Sequence, residues 1–279
     1  MMTKIPIYQV DAFTEERFKG NPAAVCILDK EHDDSTLQNI AAEMNLSETA
    51  FLLPIEQKPL QESSIFSLRW FTPKVEVPLC GHATLASAAI LFYEIGISKN
   101  EIHFETKSGK LIAKREENGI ILDFPCDEPE PIDSPFGLLE AMGIKEFKST
   151  AFSRNAKKLL VHLDKEQYVK NLRPDFEEMM RVPTKEGIIG VIVTSPGSPP
   201  YDFISRFFAP WVGVDEDPVT GSAHTVLTPY WSKILGKKKM LAYQASARGG
   251  KLIVRLDSNN RVNLIGNAVV VLKGELYLE

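Results

Sequence analysis

Three cysteines in 279 residues, Cys26, Cys80 and Cys126, are too few and too odd in number for a disulfide framework. Their spacing lacks the paired pattern of a zinc site, so reduced thiols are expected. No apolar run reaches the length of a membrane span; the longest such stretch, 83–92, is about half of the roughly 20 residues required. The opening MMTKIPIYQVDAF turns polar at Gln9 and Asp11 before a signal-peptide core can form. A basic excess is missing too: 32 Lys and Arg stand against 37 Asp and Glu, a net charge of -5. Without a positive field the chain is not expected to bind nucleic acid. What remains is ordinary globular usage, 44% hydrophobic and 25% charged, with length for one large or two packed domains. A cytoplasmic protein with no membrane contact is the expectation.

The most informative positive feature is an internal echo. Arg69-Trp70-Phe71-Thr72-Pro73 and Glu76-Val77-Pro78-Leu79-Cys80-Gly81-His82-Ala83 recur as Arg206-Phe207-Phe208-Ala209-Pro210 and Glu216-Asp217-Pro218-Val219-Thr220-Gly221-Ser222-Ala223. Gly221 follows Gly81 by 140 positions and Arg206 follows Arg69 by 137, so two ordered blocks repeat at nearly one offset. This is the register of a duplicated chain, too long for a solenoid repeat. The reading divides the chain into 1–126 and 127–267, with a C-terminal strand near 268–279 able to return to the first half. Strands at 110–116 and 120–124 flank Glu117-Asn118-Gly119, a hairpin signal. The acidic, Pro-rich 127–135 that follows is read as a linker, unable to propagate a helix or pair in a sheet. Further strands are expected at 158–163, 187–195, 202–208, 251–256 and 268–272.

Each echo launches a helix. The first, 83–92, is apolar almost all round and is expected to be buried on every side. The second, 223–235, ends at Gly236 but carries Pro229, which predicts a lost hydrogen bond and a kink. A helix start leaves backbone N–H groups unpaired and attracts anions, so Gly81 with His82, and Gly221 with Ser222, are candidates to bind a small carboxylate. The alternative is that these glycines only make tight strand-to-helix turns.

Glu48 follows the amphipathic helix 35–44 in a strand-like run, and alternation places it with Leu46, Ala50 and Leu52 on an apolar face. Burial there would raise its pKa and suit it to proton transfer; a solvated glutamate at a sheet edge is the competing reading. His82 and Asp217 stand beside the two glycines and become acid–base candidates through that context, although a structural histidine and a helix cap account for them equally.

The blocks Asp11-Ala12-Phe13, Gly20-Asn21-Pro22-Ala23-Ala24-Val25, Asn45-Leu46-Ser47-Glu48-Thr49-Ala50-Phe51, the two echo segments, Phe208 to Val214 and Arg248-Gly249-Gly250 resemble the phenazine-biosynthesis-like (PhzF-type) isomerases, nearest their animal branch. The resemblance implies an α+β, diaminopimelate-epimerase-like fold. Two domains related by a pseudo-twofold axis would each roll a mostly antiparallel sheet round a central helix. It implies an isomerase shifting a proton without a cofactor, commonly as a homodimer. Glu48 would be the acid/base, His82 and Asp217 its assistants, and Gly81, Gly221 and Ser222 the groups that bind a carboxylate-bearing substrate. The two-thiol route of related epimerases is closed, because no cysteine follows Cys126. Cys80 remains a minor candidate thiolate, and Arg248 an anion contact or a turn residue.

Other chemistries fit less well. No Gly-x-Ser-x-Gly is present, and Ser222 and His224, two apart on a helix, do not face each other. His82, His103, His162 and His224 are scattered, Cys80-x-His82 is not a metal-ligand spacing, and no metal is expected. A binding or interaction protein that kept the fold without turnover is the rival of a different class.

Overall fold

A computed structural model describes residues 3–184 and 187–278. The chain divides into two units, Met1–Asp123 with Ile265–Glu279, and Phe124–Leu264. The first contains β1 (Thr3–Ala12), β2 (Asn21–Ile27), α1 (Asp34–Met44), β3 (Glu48–Pro54), β4 (Ile65–Phe71), β5 (Glu76–Val77), α2 (Gly81–Ala89), β6 (Glu101–Thr106), β7 (Gly109–Glu116) and the start of β8 (Gly119–Pro125). The second contains β9 (Glu130–Pro131), α3 (Leu138–Ala141), β10 (Ser149–Ser153), β11 (Lys158–His162), α4 (Glu166–Asn171), α5 (Phe176–Arg181), β12 (Gly190–Pro196), β13 (Phe203–Ala209), β14 (Val214–Asp217), α6 (Gly221–Leu235), β15 (Lys239–Gln244), β16 (Gly250–Asp257) and most of β17 (Arg261–Gly266). The final strand, β18 (Ala268–Leu278), pairs antiparallel with β1 in the first unit; Glu279 lies outside the described residues.

The two units use one pairing scheme. In the first, β18, β1, β2, β3, β4, β6, β7 lie in that order, with β2–β3 and β4–β6 parallel and the rest antiparallel. In the second, β9, β10, β11, β12, β13, β15, β16 repeat it, with β11–β12 and β13–β15 parallel. Both short strands of the echo, β5 and β14, sit against the strand that carries its arginine. There Arg69 donates Nε and Nη2 to the two Glu76 oxygens at 2.8 Å each. Arg206 grips Glu216 in the same fork at 2.7 and 2.9 Å. Each guanidinium also covers a phenylalanine two residues on, Phe71 at 5.0 Å and Phe208 at 4.8 Å. The repeated Arg and Glu are therefore the clamp that joins two strands, planar and bidentate as carboxylate recognition requires.

Helix α2 is buried from His82 to Ala89 on all sides, as its composition demands, and passes into a single π-helical turn over Ile90–Glu94. Helix α6 runs through Pro229 to Leu235. Proline has no N–H for the carbonyl four residues back; that carbonyl, of Thr225, accepts the backbone N–H of Asp127 at 3.3 Å instead. The segment read as a linker thus does two structural jobs, because Glu130 and Pro131 form β9 on the outside of β10. An edge position needs hydrogen bonds on one side only, which is where a strand tolerates proline.

The β7–β8 hairpin turns on Gly119, whose φ is +126°. A Cβ there would lie 2.6 Å from the Gly266 carbonyl oxygen. Replacing Gly119 with Ala is expected to cost about 1–3 kcal/mol, from a backbone conformation L-residues avoid and a clash with rigid main chain. Urea denaturation monitored by circular dichroism measures it; an unchanged midpoint would contradict the assignment.

Candidate acid–base site

The chain enters β3 through a cap. Asn45, in the left-handed conformation with φ of 48°, closes α1 by donating its N–H to the Ala41 carbonyl, and the strand starts three residues later at Glu48. Its neighbours along one face, Ala50 and Leu52, are fully buried, so alternation does carry Glu48 along the apolar face. Across the pairing, Glu48 stands beside Ala23 of β2. Two residues back, the first residue of that strand is the buried Asn21.

These strand ends meet the start of α2. His82 Nε2 lies 3.2 Å from Glu48 Oε2, with the imidazole 7% and the carboxylate side chain 19% exposed. The Asn21 side-chain amide lies 3.2 Å from His82 Nδ1 and the Cys80 Sγ 3.5 Å from the same atom. Asn21 and Cys80 thus approach the ring at one edge while the other faces the carboxylate.

The electrostatics differ from the sequence expectation. Burial does push the Glu48 carboxyl upward, but the His82 imidazolium and hydrogen bonding from His82 and Cys80 outweigh it, and Glu48 lies below the usual glutamate range. Burial works against a charged His82, yet the neighbouring acidic groups raise it well above an ordinary imidazole. Burial and the Glu48 charge push the Cys80 thiol up to about 11, so it is a neutral donor near pH 7 rather than a thiolate. Glu48 is thus held toward its charged form and His82 toward its own, with a thiol next to both. Sequence alone discounted Cys80-x-His82 as metal ligands; the fold adds Glu48, and the donor atoms of the three lie within 4.8 Å of one another, near enough to converge on one cation.

In the second unit Asp217, Gly221 and Ser222 surround the start of α6. Thr220 donates its hydroxyl to the Asp217 carboxylate, and Gln244 spans the turn, accepting the Thr220 N–H at 2.9 Å and donating to the Asp217 carbonyl at 2.7 Å. Asp217 therefore organises the entry into the helix. Gly221 is buried and Ser222 exposed. His224 is fully buried on the Thr220 carbonyl and pushed down to about 4 by burial, a neutral packing residue. One titratable group escaped the sequence reading. Lys158 opens β11 with 5% exposure, lies 5.3 Å above the Phe207 ring, and is lowered to about 8 by burial against the opposing pull of Asp127 and Asp217. Asn21 escaped it too as a site residue, though the left-handed Gly20 before it, φ of 63°, marks a backbone with a special task. A surface concavity of about 520 Å³ in the second unit, lined by Ile144, Leu163, Tyr168 and Leu172, holds none of the candidates.

The duplication shows why there is one such carboxylate. Three residues before the strand position opposite Arg69 lies Glu48; three before the position opposite Arg206 lies Gly190. A Cβ on Gly190 would come within 2.4 Å of the Phe207 ring, so aromatic packing occupies the second unit's equivalent of the glutamate.

Residues 10–274 match the PhzC-PhzF family, described as phenazine biosynthesis-like protein. The phenazine biosynthesis-like domain-containing protein of Homo sapiens is 48% identical over 98% of this chain and 99% of its own. An uncharacterized isomerase of Halalkalibacterium halodurans is 50% identical over the full length of both chains. The crystal structure of a PhzF-family phenazine biosynthesis protein from Enterococcus faecalis superposes with a TM-score of 0.89 at 42% identity, covering 99% of this chain and 100% of that one. Solved epimerase and racemase structures below 25% identity share the fold, which is the mixed, sheet-dominated α+β architecture expected. The chain belongs to the PhzC-PhzF, phenazine biosynthesis-like family.

Proposed function

We propose that this protein is an isomerase that moves a proton between two carbons of a small carboxylate-bearing metabolite without a cofactor, with Glu48 as the acid/base. The observation that carries the reading is the buried Glu48–His82 charge pair at the start of α2. It is joined by the family membership and by relatives named as isomerases. A surface ion pair would have no such use; a desolvated one is poised to exchange its partner.

In the proposed step Glu48 takes a proton from a carbon next to an unsaturated, carboxylate-bearing system, and the C–H electron pair moves into that system. Neutral Glu48 no longer balances His82, whose imidazolium is then free to stabilise the negative charge arriving on the substrate. The same carboxyl returns the proton to a second carbon as the electrons shift, restoring the original pair. Because Glu48 is held below the ordinary range, it is a weak base; the substrate C–H must be activated by conjugation, which narrows the substrate class. Gly81 at the start of α2, and Gly221 and Ser222 at the start of α6, are proposed to bind substrate oxygens, with Asp217 holding the α6 entry in place. Three free cysteines and the lack, among the described residues, of a helix long and apolar enough to cross a membrane accord with a cytoplasmic setting.

Replacing Glu48 with Gln removes the proton carrier but preserves shape. Deuterium uptake from heavy water into carboxylated metabolites, followed by NMR, is expected to fall by about 10²–10⁴-fold while binding of the same compounds persists. Uptake at the parent rate would remove Glu48 from the mechanism, and binding without uptake in the parent protein would favour the non-catalytic reading.

His82→Gln tests the charge pair. With the histidine gone, only Cys80 still opposes the upward push of burial on Glu48, so the acid limb of kcat/KM is expected to move to higher pH. Stability changes in a defined direction. The raised His82 contributes stability fully below 6.5 and loses it as pH climbs through its folded value, while the lowered Glu48 contributes above 4.5 and loses it on acidification. Urea midpoints across pH should therefore fall on both sides of this window in the parent, and His82→Gln should abolish the alkaline fall; an identical alkaline profile would argue against the pair.

A further inference from the structure

Lys158 is buried with 5% exposure and takes no part in the Arg–Glu forks or the Glu48–His82 contact. Its ammonium donates to the Ala156 carbonyl at 3.3 Å and lies 5.3 Å above the Phe207 ring. Asp127 and Asp217 attract it, but other groups hold both carboxylates. Asp127 accepts from the Ser153 hydroxyl, the Asn155 amide at 3.2 Å and the Ala156 N–H at 2.8 Å, and Asp217 accepts the Thr220 hydroxyl. Burial, the largest influence on Lys158, works against its charge. An ammonium has three N–H donors and loses its hydration inside a protein, so a cation with this little company is poised for an anion from outside the chain.

Position in the repeat says where that anion binds. In the first unit Glu48 on β3 pairs with Ala23 on β2, at the strand ends that meet the start of α2. The equivalent positions in the second unit are Gly190 on β12 and Lys158 on β11, which pair in the same parallel register. His82 of α2 corresponds to Ser222 of α6. Partnered positions on neighbouring strands share a face, so Lys158 stands on the face of Gly190, which looks toward the Phe207 ring. Asp217, at the entry of α6, is near enough to pull on the Lys158 charge, which sets the ammonium near that helix start. One unit thus carries a carboxylate at this end of its strands and the other a cation. We propose that Lys158 is the cation that receives the substrate carboxylate, beside the Gly221 and Ser222 N–H groups at the start of α6. What the carboxylate belongs to rests on the isomerase reading above; Lys158 adds the full positive charge that a helix start lacks. Backbone N–H groups orient an anion, and a desolvated ammonium adds a charge-assisted hydrogen bond about twice as strong as a neutral one. The bound anion in turn satisfies the ammonium, so compounds without an acid group are discriminated against.

Lys158→Met keeps the length of the side chain and removes its charge, and Lys158→Arg keeps the charge. Calorimetric titration of the parent with acetate, succinate and benzoate is expected to show binding that acetamide, succinamide and benzamide lack. Lys158→Met should weaken that binding by about ten- to a hundredfold, and Lys158→Arg should retain most of it. In the deuterium-uptake assay the Met variant should raise KM more than it lowers kcat. Stability separates this role from a structural one. Removing a buried charge that only a ligand compensates should raise the urea midpoint of the ligand-free protein, whereas losing a structural tie to Asp127 should lower it. Should Lys158→Met fail to fold, Lys158→Gln carries the titrations and the midpoint. Acids and amides that bind alike, a parent that binds none of the three acids, an uncharged variant that binds them as the parent does, or a lowered midpoint in both uncharged variants overturns the proposal. Uptake absent from the parent counts against the isomerase reading alone, because the titrations do not depend on turnover.

Discussion

A carboxylate taken out of water must find charge or hydrogen-bond donors, and in this protein that requirement falls on Glu48. Left to burial alone it would take up a proton and lose its value as a base. His82 stands 3.2 Å from it, and the rest of the first unit brings those two groups together. The left-handed Asn45 cap turns the chain from α1 toward β3, the parallel β2–β3 pairing sets Asn21 and Glu48 at the same end of neighbouring strands, and α2 begins there with Cys80 as its cap residue. Slipping the β3 register by one residue would turn the glutamate to the opposite face of the sheet.

Duplication then explains both what the units share and where they part. The Arg–Glu fork is kept in each, because a strand pair as short as β5 or β14 has few backbone bonds and needs a second tether. The acid–base position is not kept. Gly190, packed under Phe207, replaces a glutamate, and the second helix start is occupied by the Asp217–Thr220–Gln244 network. One unit thus carries the buried carboxylate–imidazole contact and the other a well-tied helix entry.

The echo and the buried helix were legible in the residues themselves, since ordered motifs and an unbroken apolar face survive any detail of packing. Glu48 and His82 could be named as well, but not their charge states. Alternation put Glu48 on an apolar face, from which a raised pKa follows; the opposite shift depends on a histidine 34 positions away whose ring direction no periodicity reports. Asn21 and Lys158 were missed for a related reason. Each opens a strand, and only the packing of side chains from distant elements shows that one touches the His82 ring and the other lies over Phe207.

Sequence by itself determined the duplication, the two helix starts, the family resemblance and the absence of any cysteine after Cys126, because these are properties of residue type and order along the chain. Tertiary structure decided that Glu48 is held below the glutamate range, that the Cys80 thiol is pushed up to about 11, that Asp217 is tied into the α6 entry, and that a proline-rich linker serves as an edge strand. Each of those depends on which distant groups share a desolvated space, and the energy of a charge or an unpaired backbone group is set by that company rather than by its neighbours in sequence.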